Sequence, residues 1–115
     1  MGQKVVLDTN FLMMPFNFKI DVFHELRGYE LVTLAECVDE LKRIKPSAVE
    51  LISGKVSLVR ESFKSHDVDD KIIEFAVKHN AYIATSDKKL KEKAEAKGVP
   101  IVSMRRKKYL VMPDV

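Results

Sequence analysis

The chain is 115 residues long, 46% hydrophobic, and carries 20 Lys and Arg against 17 Asp and Glu, a net charge of +3. That length supports one domain, residues 1–115, with one core, and no apolar stretch approaches a membrane span. The single cysteine, Cys37, excludes an internal disulfide. The first strand begins without a charged-then-apolar leader before it, which sets the expectation of a cytoplasmic protein.

Residues 4–7 read as a short strand covered on both faces, because Val5-Val6-Leu7 shows no alternation. Asp8, Thr9 and Asn10 form a strand-to-helix turn, with Thr9 or Asn10 available as a cap. A short helix begins at Phe11, and Pro15 is expected to end or bend it. Residues 20–26 form a second helix that Gly28 stops. Residues 29–34 are rich in β-branched and aromatic side chains and read as a strand. Residues 35–44 and 46–52 are helical, divided by Pro46 and closed by Gly54. Residues 55–60 are read as a strand, since Gly54 interrupts a helical reading there. A helix over 69–79, a strand over 81–85, a helix over 87–97 and a strand over 99–104 follow, with a last short edge strand over 109–112. Strands alternating with helices predict a three-layer α/β/α sandwich around a mainly parallel sheet of four or five strands.

Open α/β sheets bind ligands outside the carboxyl ends of their strands. Asp8 and Asp87 each follow a strand and fall at that edge. Asp69, with Asp70 beside it, opens a helix that returns across the sheet, and Glu40 lies in the helix after the second strand. Carboxylates gathered at one place repel one another unless a cation lies between them. Magnesium and manganese accept oxygen ligands of this type. The pattern therefore points to a metal-dependent enzyme acting on phosphate esters. Each residue also has a plainer reading. Asp8, Asp69 and Asp87 are placed to cap helices, and Glu40 to pair with Lys42 or Arg43 on a wet face.

The basic residues tell a similar story. Arg105, Arg106, Lys107 and Lys108 form an unbroken run that reads as a phosphate-contacting surface, two to each side of an extended chain. Lys88, Lys89, Lys91, Lys93 and Lys97 alternate with Glu92 and Glu95 and suit a solvated helix face equally well. Cys37 lies among apolar positions and reads as buried structure. Phe11, Met13, Met14, Phe16 and Phe18 read as core or as the surface of a homodimer.

Val5-Val6-Leu7-Asp8-Thr9-Asn10-Phe11-Leu12, then Glu40, then Asp69-Asp70-Lys71-Ile72-Ile73, then Ile83-Ala84-Thr85-Ser86-Asp87 resembles the PIN-domain ribonucleases over nearly the whole chain. Asp69 precedes Asp87 by the interval of that family's third and fourth acidic positions, with Asp70 one residue out of register. The Asp-Asp-Lys-Ile sequence and the downstream Gly98-Val99-Pro100-Ile101 are more similar to the archaeal and eukaryotic ribosome-processing branch than to the toxin branch. The resemblance implies a catalytic set of Asp8, Glu40, Asp69 and Asp87. These residues, with Asp70, would hold magnesium or manganese. Thr9, Asn10 and Thr85 would support them, and single-stranded RNA, including ribosomal precursor particles, would be the partner. A toxin ribonuclease and a non-catalytic RNA-binding module of the same fold remain alternatives. Two other classes with strand-end aspartates fit less well. Haloacid-dehalogenase-type phosphatases need an Asp where Asn10 stands, and receiver domains need an Asp at the end of residues 55–60.

Overall fold

The structure, a computed structural model, describes residues 2–113. Its elements are β1 (Lys4–Leu7), α1 (Thr9–Asn17), α2 (Val22–Glu25), β2 (Glu30–Leu34), α3 (Ala35–Ile44), α4 (Pro46–Ile52), β3 (Ser57–Val59), α5 (Val68–His79), β4 (Tyr82–Ala84), α6 (Lys88–Ala96), β5 (Ile101–Arg105) and β6 (Tyr109–Val111). No helix among the described residues is long and apolar enough to cross a membrane.

The six strands form one sheet in the order β3-β2-β1-β4-β5-β6. Five are parallel, and β6 returns antiparallel to β5. The chain steps outward from β1 through β2 to β3, then returns to place β4 on the other side of β1. Right-handed crossovers running in opposite directions put their helices on opposite faces. Accordingly α1, α2, α3 and α4 pack with one another, and α5 packs with α6. The result is the expected α/β/α sandwich. β1 and β4 flank the point where the strand order reverses, and a crevice opens at the carboxyl ends of such strands.

The core explains the central strands. Val5, Val6 and Leu7 are wholly buried, as are Ile83 and Ala84, because helices cover both faces. Phe11 and Met14 belong to this core, and Met13, Phe16 and Phe18 pack against it. Phe11 and Met14 are therefore interior, and Met13, Phe16 and Phe18 are half-buried. Exposed apolar side chains lie elsewhere, at Ile44, Leu51 and Val77.

Three expectations change. The sheet has six strands rather than four or five, because both short edge strands join it, β3 beside β2 and, as expected of residues 109–112, β6 beside β5. Helix α1 continues through Pro15 to Asn17. Proline there removes one backbone donor, but the apolar face of Phe11, Leu12 and Met14 keeps the helix docked. Helix α2 spans only Val22–Glu25, capped by Asp21, whose carboxylate accepts from the His24 amide at 3.1 Å. The strand reading of residues 55–60 holds as β3, a short and largely exposed edge.

Candidate active site

Leu7 ends β1, and Asp8 follows it into the N-cap of α1. One oxygen, Oδ1, accepts from the Phe11 amide at 3.0 Å, and the other, Oδ2, accepts from the Thr85 hydroxyl. Thr85 follows β4 and is fully buried. Its oxygen also accepts from the Asp87 amide at 3.0 Å. Thr85 thus joins the two strand-end aspartates. Asp87 caps α6, with Oδ1 accepting from Lys89 at 2.8 Å and Leu90 at 3.3 Å. Its second oxygen makes no hydrogen bond among the described residues.

Two other threonines fix the frame. The Thr33 hydroxyl donates to the Leu7 carbonyl at 2.8 Å, beside Asp8. The Thr9 hydroxyl donates to the Cys37 carbonyl at 3.4 Å and ties α1 to α3. The cap of α1 is Asp8 itself, not Thr9 or Asn10, because Thr9 already lies in the first helical turn.

Asp8, Glu40, Asp69 and Asp87 line one cavity of about 550 Å³, together with Thr9, Asn10, Glu36, Cys37, Asp39 and Arg43. Glu40 comes from α3 in one helical layer and Asp69 from α5 in the other. The capping reading and the shared-site reading thus both apply to Asp8 and Asp87. Asp69 is not a cap, since Asp67 caps α5 and accepts from the Asp69 amide at 2.8 Å. Glu40 has no ion pair with Lys42 or Arg43 among the described residues.

The structure does not bring Asp70 to this cavity. Consecutive residues on a helix point about 100° apart, so only one of the Asp69–Asp70 doublet faces the site. Asp70 turns toward α6 and pairs with Lys93 at 3.2 Å. The basic run also departs from expectation. Arg105 ends β5, and Arg106 and Lys107 form a turn with φ of 54° and 55°, so the four cations do not alternate along a strand. Because β5 runs parallel to β4, this turn lies beyond the same end of the sheet as Asp87. Lys107 Nζ stands 5.6 Å from the Phe18 ring centroid.

The electrostatics register the convergence. Burial, with the Asp87 and Asp69 charges, pushes the Asp8 carboxyl up to about 6, against the lowering effect of the Thr85 and Phe11 hydrogen bonds. Asp69 is also raised, by partial burial and then by the charges of Asp87 and Asp67. Burial raises the Cys37 thiol, which suits a structural side chain.

A hard divalent cation fits the donor chemistry, since the carboxylates are all oxygen donors that already repel one another. Among the described residues no three acidic, histidine or cysteine side chains close tightly enough to enclose an ion.

Glu36, Asp39 and Arg43 were not singled out in the sequence, although a signal for two of them exists. Glu36, Glu40 and Arg43 follow the i, i+4, i+7 spacing of one helix face. Arg43 is the one cation lining the carboxylate cavity, and it forms no ion pair among the described residues.

Known proteins share this architecture. A model of the PIN-like domain matches residues 5–107. The chain is 32% identical to Ribonuclease VapC4 of Methanocaldococcus jannaschii, over 92% of this chain and 93% of that relative. It is 30% identical to Ribonuclease VapC9 of Archaeoglobus fulgidus, over 90% and 84%. Among solved structures, the PIN domain endonuclease Utp24 superposes with a TM-score of 0.80 at 23% identity, covering 97% of this chain and 95% of that one. A PilT N-terminus domain protein from Sulfolobus solfataricus P2 superposes at 0.65 with 15% identity, covering 88% and 87%.

Proposed function

The chain belongs to the PIN-like domain family, and on that footing we propose that it is a divalent-metal-dependent endoribonuclease hydrolysing phosphodiester bonds of single-stranded RNA. One observation carries this reading: Asp8, Glu40, Asp69 and Asp87, drawn from the turn after β1, both helical layers and the turn after β4, line one cavity. The names of the two ribonuclease relatives support RNA as the substrate.

Asp8, Asp87, Asp69 and Glu40 would hold magnesium or manganese. When bound, such an ion polarises a phosphoryl oxygen and offsets charge at phosphorus. The protein's own part is positional. Thr85 and the Phe11 amide fix both oxygens of Asp8, so the carboxylate needs little reorganisation when substrate arrives. Asp87 lines the cavity while one of its oxygens holds the cap of α6. Arg43 supplies a guanidinium to a phosphate that the surrounding carboxylates would otherwise repel. The cations of the β5–β6 turn contact the backbone farther along the strand, which positions RNA without reading its sequence. The resemblance to the ribosome-processing branch makes ribosomal precursor RNA the first natural substrate to assay.

A single strand bends into a recessed site more readily than a duplex. Labelled RNA of one sequence, offered single-stranded and as duplex with magnesium or manganese, tests the reading. Cleavage confined to the single strand is expected. Equal cleavage of both forms would contradict the single-strand preference. Tight binding with no cleavage would favour an RNA-binding module.

A further inference from the structure

Beside the carboxylate cavity, at the carboxyl end of β3, lies a second cavity of about 530 Å³. Glu36 lines both, so the two adjoin. At their junction Lys71 pairs with Glu36 at 2.5 Å, which neutralises the carboxylate that a passing polyanion would meet. The second cavity differs from the first in character. Phe63 packs against the core and also lines the cavity, half-buried. Arg60 lines it as an exposed guanidinium with no ion pair among the described residues.

Residues 60–67 contain no helix or strand, yet they are fastened to α5 at two points. Glu61 pairs with Lys78 at 2.9 Å and His79 at 2.8 Å. Glu74 accepts from the Lys64 amide at 3.0 Å, the Ser65 amide at 3.2 Å and the Ser65 hydroxyl at 3.0 Å. A connection that only had to reach α5 would not need two carboxylates to hold its course. The fastening presents Arg60 and Phe63 in a set arrangement, and preorganisation of this kind reduces the entropy lost on binding.

We propose that this second cavity is a nucleotide subsite. A nucleotide next to the cleaved linkage places its base against Phe63 and its phosphate on Arg60. The inference rests on the ribonuclease reading above and adds the path the strand takes from the catalytic cavity. Every base has a π-face, so stacking on Phe63 tolerates any sequence. The planar donors of Arg60 match a phosphate in a fork geometry.

A single-stranded oligonucleotide, kept intact by omitting divalent metal and carrying one abasic position moved along it, tests the subsite by fluorescence anisotropy. In the wild type one abasic position should weaken binding roughly 5- to 100-fold. That penalty should vanish in Phe63→Ala and persist in Arg60→Gln. Arg60→Gln should also flatten the salt dependence by about one phosphate contact. Phe63→Leu, which keeps the apolar packing, serves in place of Phe63→Ala if the smaller side chain unfolds the protein, with the same expected outcome. An unchanged abasic penalty in the folded Phe63 variant, or an unchanged salt slope in Arg60→Gln, overturns the subsite while wild-type cleavage of RNA leaves the ribonuclease reading standing. A folded wild type that neither binds nor cleaves single-stranded RNA overturns both.

Discussion

Asp8 divides its two oxygens between a helix cap and a buried threonine, yet burial, with the charges of Asp87 and Asp69, outweighs both hydrogen bonds and pushes the carboxyl up to about 6. In the metal-free protein, the folded state holds a proton on Asp8 between pH 4 and 6 that the unfolded chain has released. Stability at this site therefore falls as pH rises through that window, by on the order of 3 kcal/mol. Glu36, Glu61 and Glu74 are lowered and act with the opposite sign, so the difference between wild type and Asp8→Asn isolates Asp8. Denaturant melts should show equal stability near pH 3.5 and a more stable variant at pH 7, and parallel pH profiles would contradict this. Thr85→Val keeps the shape but removes the donor to Asp8, and should weaken metal response or activity about 10- to 100-fold. A variant matching wild type in a metal titration would remove Thr85 from the account. At this scale Asp8 and Asp87 were legible, because a carboxylate after an apolar strand falls at the sheet edge whatever the packing. In the sequence only its interval from Asp87 favours Asp69 over Asp70, and the phase of α5 supplies the physical reason, while Arg43 carries its meaning only once the opposite wall is known.

The β5–β6 turn shows where local rules give way. A turn whose two central residues both sit at positive φ favours Asn-Gly, whereas this one, closed by the Lys108 amide on the Arg105 carbonyl, has Arg106 and Lys107. Replacing the pair with Asn and Gly should stabilise the fold by about 1 to 2 kcal/mol and weaken RNA binding. Loss of stability in a thermal melt would show that Lys107 on Phe18 outweighs the backbone strain. Arg105→Ala with Arg106→Ala should lower RNA affinity and flatten its salt dependence while leaving the metal response intact, and normal binding across a salt titration would reduce the run to a solvated edge. Element identity followed the sequence closely where patterns were strong. Helix α3 spans the 35–44 window read from it, and Gly98, at φ 72°, closes the segment after α6 as expected. The misreadings came from tertiary packing, which carries α1 past Pro15, and from a turn built of residues that do not advertise one.

At the scale of the molecule, the strand order explains why residues far apart in sequence meet. The chain leaves β1 in one direction and returns on its other side, so α3 and α5 approach the β1–β4 crevice from opposite layers and deliver Glu40 and Asp69. Alternation of strands and helices made the layers legible, but the return of β4 beside β1 is a long-range pairing that no local pattern encodes. Repulsion among the gathered carboxylates should make the fold respond to cations. Millimolar magnesium or manganese should raise the melting temperature, by the equivalent of about 2.7 kcal/mol at 100-fold excess over Kd, and Asp8→Asn should abolish the rise. An equal rise in the variant would count against Asp8 as a ligand. The most direct test is incubation of labelled single-stranded RNA with manganese and either wild type or Asp87→Asn, an exchange that keeps a good helix cap on α6. Cleavage by the wild type that is lost in a folded Asp87→Asn is the predicted result, and cleavage at the same rate by both, or RNA left intact by the wild type, would contradict the account.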